Sequence, residues 1–600
     1  MPQTALRPAS AAGPRTGTLS GLRTLAPAFC VALALSACAT AGPQTGQAAT
    51  VPLSPEEMSA AGAFLAGRYA DRIRDVGNAS SFMDRVLESG DTGIALKRRA
   101  FLLRLEAGRY EDAARLAPEI VETLDANAPI ANIFLAVEAA RTGDFFTAGA
   151  LIDSLPDNRL NRVLSPLLEG WIALGQGRRD DAGEEIDEVL ELEGFAVLHA
   201  LHSAMLADAA GETALAAERY EAAVTSMPDP PLRVRLVAAD FQARFQSVDA
   251  AMATAIVTDA TSADPTDVQA YLRRVAETRK GEPLTATDGL AQAFFDLASA
   301  LQRDRRSELS MVFSRLALRL DPDFDLATLL IAEILDDREQ YAEALTLYDT
   351  VPESSAYRLM AELRAVSSLV DLDRMDEAVD RLNALAARRP QQIDPLIRLG
   401  DLYRSTEDWN GAISAYNRAF ARLPAGDPGS WSMYYSRGIA LERSAQWDRA
   451  EADFLKALEL RPEQPYVLNY LGYTWIDQGR NLPRATKMIE QAVALRPNDG
   501  YIVDSLGWAM YRQERYAEAV EHLERAVELL PTDPTINDHL GDAYWRVGRR
   551  QEARFQWQRA LSFDPDKDLA NDIEHKLQAG LPAVQSQSVK TADTKTDVDG

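Results

Sequence analysis

Two cysteines, two histidines a helical turn apart and a crowd of late tryptophans are the residues here whose types could do chemistry. Cys30 and Cys38 are the only cysteines, and both lie in the first forty residues. The body of the chain is therefore left with no thiol for nucleophilic catalysis, for a disulfide or for a Cys/His zinc site. His199 and His202 share a helical face, but the acids near them have the ordinary spacing of a solvated surface. Two imidazoles without further donors do not make a metal site. No glycine-rich phosphate loop follows a strand pattern, and no serine sits in a nucleophile elbow. The expectation is a chain with no enzyme activity, no metal and no cofactor. Seven of the eight tryptophans lie after residue 400, which points to recognition, because exposed rings are costly unless something covers them.

Cys38 has a different use. Arg7, Arg15 and Arg23 precede an apolar run from Leu25 to Leu35, and the first acidic residue is Glu56. Basic region, short apolar core and small residues follow the order of an export signal, and the run is too short to anchor as a membrane span. Leu35-Ser36-Ala37-Cys38 resembles the lipobox of bacterial lipoproteins, which implies cleavage after residue 37 and acylation of Cys38. The resemblance to lipoproteins of enteric-type bacteria further implies sorting to the outer membrane, facing the periplasm, since Ala39 stands where their inner-membrane retention residue is Asp. Residues 38–58 then read as the lipidated cysteine and a flexible tether, anchoring the chain to a membrane without crossing it.

The elements that position the remaining residues come from a repeat. Ala344, Ala378, Ala412, Ala450, Ala485, Ala519 and Ala553 are spaced 34, 34, 38, 35, 34 and 34 residues apart. Ala79, Ala113, Ala148, Ala182, Ala216 and Ala250 form a second series, spaced 34, 35, 34, 34 and 34. Apolar residues fall at helical spacing in Ile502 to Gln513 and again in Ala517 to Leu530, with a turn at Glu514-Arg515 between them. Gly507, Ala519 and Ala526 are small where two helices must approach closely, and Pro531 stops the second helix. A hairpin of this kind cannot bury both sides alone, so neighbours stack into a continuous core.

This pattern resembles the tetratricopeptide repeat family, over roughly residues 60 to 570. The resemblance implies an all-α, right-handed superhelical solenoid of about 13–14 helix-turn-helix hairpins. The register fails at Lys280-Gly281-Glu282-Pro283 and Asp288-Gly289, and Ser310 takes the small position ahead of Ala344. The expected organisation is a signal at 1–37, a tether at 38–58 and an N-terminal sub-array at 59–263. A degenerate hairpin or bend follows at 264–298, then a C-terminal sub-array at 299–566. A capping helix at 567–580 and a disordered tail at 581–600 complete it.

Trp409, Trp447 and Trp557 recur at packing positions and read as structural. The candidate partner-binding residues lie on the first helices of the last hairpins, whose free side lines a groove in tetratricopeptide arrays. They are Tyr466, Asn469 and Tyr473; Asp504, Trp508, Tyr511 and Arg512; and Asp538, Asp542, Trp545 and Arg546. Rings beside Asn, Asp and Arg suit an extended or helical peptide, although Trp508 and Trp545 could instead pack neighbouring first helices. With 63 Lys plus Arg against 90 Asp plus Glu, a formal charge of −27 disfavours nucleic acid. The strings Leu471-Gly472-Tyr473, Asp504-Ser505-Leu506-Gly507-Trp508 and His539-Leu540-Gly541-Asp542 resemble outer-membrane tetratricopeptide lipoproteins of Gram-negative bacteria. That likeness implies an adaptor for a periplasmic C-terminal processing protease and its substrates. The alternative is an assembly or export subunit of an envelope complex.

Overall fold

The computed structural model describes residues 58–582, apart from 91–92, 124–128, 159, 193, 257–263 and 424–426. The expected signal, Cys38, nearly all of the tether and all but two residues of the tail lie outside the described residues. Among the described residues there are thirty α-helices and no strand. They pair as fourteen hairpins, plus the single helices Pro265–Thr278 and Lys567–Ala579. The fold is the all-α solenoid of stacked hairpins that the periodicity predicts. No helix among the described residues is long and apolar enough to cross a membrane.

The repeated alanine is the fourth residue of each second helix. Ala79, Ala113, Ala148, Ala182 and Ala216, then Ala344 through Ala553 in the second series, are all without solvent exposure. The slot expected for Ala250 is filled by Ala251. The Ser247 hydroxyl caps that helix by accepting from Ala250 N at 3.1 Å, which starts it at Val248 and moves the register by one. Ser310 is buried as expected and donates its hydroxyl to Ala298 O at 2.8 Å. In the last five hairpins the first helix carries a glycine facing the second, at Gly400, Gly438, Gly472, Gly507 and Gly541. A Cβ on Gly541 would stand 2.5 Å from the Trp557 ring, and Gly507 meets Leu523 in the same way. Trp557 is fully buried there, so its recurrence is packing.

Helix ends follow local chemistry. Pro465 and Pro534 open their helices at the first turn, where a missing N–H costs nothing, and Asp499 and Asp533 cap the same edge. Asp427 accepts from Gly429 N at 2.7 Å and caps a 3₁₀ turn, Pro428–Ser430, which accounts for the long step in the repeat.

Two compact units divide the chain between Leu396 and Ile397. The division does not fall at 264–298, where the register fails. Pro265–Thr278 is a single helix that closes the first run of six hairpins, and Ala286–Arg303 pairs with Ser307–Leu320 as a regular hairpin. That hairpin turns back onto Ile94–Glu106, Pro129–Arg141, Asn161–Gly175 and Ala196–Ala209, the first helices of the preceding repeats. Helices on both sides of the failed register are therefore in direct contact.

Candidate functional site

In the C-terminal unit the first helices Pro465–Asp477, Gly500–Arg512 and Pro534–Arg546 stand side by side, followed by Lys567–Ala579. The candidate residues occupy equivalent places on these helices, and most of them reach to the next helix in line. Asp504 lies 3.0 Å from His539 Nδ1, and the Trp508 indole stacks on the His539 ring at 4.1 Å and on Tyr511 at 4.8 Å. Asp504 and Trp508 are only 7 % and 6 % exposed as a result. One repeat further on, Lys576 Nζ donates to Asp538 at 2.7 Å and to Asp542 at 3.1 Å, and Trp557 Nε1 donates to Asp542 at 3.0 Å. Asp538 and Asp542 are buried beneath the terminal helix. Trp545 Nε1 donates to Leu581 O at 3.3 Å and Arg546 Nη1 to Pro582 O at 2.6 Å.

Asp504, Trp508, Asp538 and Asp542 thus form the floor of this face, because each is used up in a ladder from repeat to repeat. His539 and Lys576 complete that ladder, and sequence reasoning did not assign them a role. Their signal was position: each falls one repeat from an acid it contacts.

The electrostatics follow from this burial. Burial pushes the Asp538 carboxyl up to about 7, with Asp542 adding to the effect and Lys576 opposing it. Burial raises Asp542 as well. Burial works against a charge on His539, but the adjacent Asp504 overrides it and holds the imidazole above its usual value. The Lys576 ammonium is raised against its own burial by Asp542 and Asp538.

The ladder lapses one repeat earlier. The place equivalent to His539 is held by Ser505, whose hydroxyl turns back to Tyr501 O at 3.0 Å. Asn469, the counterpart of Asp504, consequently has a buried Oδ1 with no hydrogen-bond partner among the described residues. Tyr473, the counterpart of Trp508, has no ring stacked on it among the described residues. Tyr466, Asn469 and Tyr473 lie three and four residues apart on one helix face and stay partly open to solvent. Tyr511 and Arg546 are also partly open, with Arg546 Nε donating to the Tyr511 hydroxyl at 3.2 Å. Arg512 is exposed and reaches Asp477 at 3.0 Å.

In the N-terminal unit His202 is buried, accepting from Trp171 Nε1 at 3.0 Å with its Nε2 3.2 Å from Asp296, while His199 faces Asp187 at 2.8 Å. The two rings serve separate partners. Because Nδ1 accepts, Nε2 of His202 carries the proton and donates to Asp296.

A family model described as tetratricopeptide repeat matches residues 397–465 and 435–482, and one described as TPR repeat matches 507–548. The chain is 24 % identical over 196 residues to a TPR repeat-containing protein of Pseudomonas aeruginosa, covering 32 % of each chain. It is 26 % identical over 132 residues to a general transcriptional corepressor of Schizosaccharomyces pombe, covering 22 % of this chain and 12 % of that protein. The matches therefore span about a third of the first relative's length and about an eighth of the second's. Among solved structures, a TPR protein with an unusual peptide-binding site is 20 % identical with a TM-score of 0.26, covering 32 % of this chain and 97 % of that one. A chain of an APC/C hetero-tetramer is 17 % identical with a TM-score of 0.35, covering 88 % of this chain and 98 % of that one. Repeats of this type imply a scaffold for protein–protein interaction.

Proposed function

We propose that this chain is a non-enzymatic protein-binding scaffold of a bacterial envelope, held to the outer membrane by acyl chains on Cys38. Its C-terminal repeats take a peptide or protein segment along the strip Tyr466, Asn469 and Tyr473, with Tyr511, Arg512 and Arg546 at the border. The observation that carries this reading is the orphaned Asn469 Oδ1. A buried acceptor without a donor costs about 1–3 kcal/mol, and an arriving main-chain N–H would relieve it. Two tyrosines flank that acceptor with ring area suited to the same segment. Asp504, Trp508, Asp538, Asp542 and Trp545 support the strip from below and hold the terminal helix.

The partner we favour is a periplasmic C-terminal processing protease together with the envelope proteins it degrades. The likeness of the three C-terminal strings to protease-adaptor lipoproteins supports that choice. Deleting the chain in its host should then lengthen the lifetime of particular envelope proteins, read by pulse-chase. Unchanged lifetimes with a misplaced envelope complex would replace this reading with an assembly or export role.

A further inference from the structure

The face shared by the first helices of the N-terminal unit already has an occupant, and it comes from the same chain. Helix Ala286–Arg303 lies against Asn161–Gly175 and Ala196–Ala209, while Ser307–Leu320 lies against Ile94–Glu106 and Pro129–Arg141. The approach is close enough that Gly289 has no room for a side chain, since a Cβ there would overlap the Trp171 ring. Around that contact runs a polar chain. Trp171 donates to His202, His202 faces Asp296, and Arg233 holds Asp296 at 2.9 Å through Nε and Gln292 at 2.7 Å through Nη1.

The second helix of the hairpin is gripped along its length. Arg99 meets Glu308 at 2.5 Å, and Arg315 Nε donates to Glu106 O at 3.0 Å. The Tyr110 hydroxyl donates to Arg315 O at 2.8 Å. Arg319 bonds Glu138 at 2.6 Å and Glu111 at 3.0 Å. These partners are separated by about two hundred residues in sequence. Repeat stacking is nearest-neighbour by nature, so contacts of this range set the hairpin apart from ordinary stacking. An amphipathic helix laid in a groove with charged pairs at its rim is a standard mode of peptide recognition.

We propose that the N-terminal repeats form a helix-binding clamp whose ligand, in cis, is the chain's own hairpin Ala286–Leu320. The clamp keeps its fold when the hairpin leaves. While the hairpin is seated, this face is closed to outside partners, and a helix with the same features takes its place only when the hairpin is out. Those features are a glycine where Trp171 presses and basic residues spaced like Arg315 and Arg319. The inference concerns residues 94–320 and goes beyond the C-terminal strip.

The test uses the full chain and a fluorescent synthetic peptide of residues 286–320. Gly289→Leu should drive the hairpin out by overlap with Trp171. Hydrogen exchange in 286–320 should then accelerate about 100-fold or more while 129–141, 161–175 and 196–209 keep their protection. The peptide should bind this variant and leave the wild type unbound, read by anisotropy. Loss of protection in the array helices together with the hairpin would overturn the proposal, and so would equal binding of the peptide to both proteins. Should Gly289→Leu fail to fold, the pair Glu308→Ala/Arg319→Ala removes rim bonds and leaves the core intact. Exchange should then rise about tenfold within 307–320 alone. An equal rise across the array helices would overturn the clamp. Partner capture by the C-terminal strip is read separately, so either idea can fail without the other.

Discussion

Lys576 stands between the buried Asp538 and Asp542 and the exposed Asp572, and is itself nearly closed to solvent. Lys576→Met leaves two buried carboxylates without a cation and should destabilise the last repeats by about 3–5 kcal/mol, read as an earlier first transition in urea. Adding Asp538→Asn should recover part of that loss. The same cluster sets a pH dependence. Asp538 and His539 both hold protons more tightly folded than unfolded, so the stability they contribute is complete at low pH. It declines between the ordinary carboxylate range and about 7 for Asp538, and further as pH rises through the raised value of His539. The last repeats should therefore melt earlier at pH 8 than at pH 5, and Asp538→Asn should flatten the difference. A rise in stability over that interval would contradict the assignment. The partly open and the buried members of the face should also separate. Trp508→Ala should cost about 3–5 kcal/mol of stability, whereas Tyr473→Ala should cost less and weaken partner capture.

Elements were legible where the repeat constrains both partners of a contact. In the last five hairpins the fourth residue of the second helix and the glycine of the first must be small together, so the period stands out there, and Gly541→Leu should cost at least about 1–3 kcal/mol by forcing Trp557 aside. Pro531 and the Glu514-Arg515 turn were readable for the same reason, since each satisfies a local backbone rule. The hairpin Ala286–Leu320 was not. Its glycine at 289 breaks the repeat register because it answers Trp171, a residue far away in sequence, and its arginines answer Glu106, Glu111 and Glu138. A single sequence shows periodic constraints and hides pairwise ones that occur once. The shift from Ala250 to Ala251 has a smaller cause, a serine cap that starts one helix a residue later. At the candidate site, position on the first helices was readable from the period. Which members are open and which are consumed was not, because that depends on whether the next repeat offers His539, Ser505 or Lys576.

The molecule as a whole is a run of stacked hairpins in two units, each of which keeps a different relation to its own inner face. In the N-terminal unit the face is filled by the chain itself. In the C-terminal unit the ladder of buried pairs lapses at Ser505, beside a buried acceptor and two tyrosines. On our proposal, recognition of an outside partner falls to this one short strip rather than to the whole array. The most direct test is a cross-linked pull-down from native membranes with the full chain, comparing wild type, Tyr473→Ala/Asn469→Ala and Glu552→Ala as an exposed control. Wild type and control should recover the same envelope partner, a periplasmic protease on our reading, and the strip variant should lose it while remaining folded at the temperature of the assay. A partner retained equally by all three proteins would contradict the account and move recognition away from the C-terminal strip.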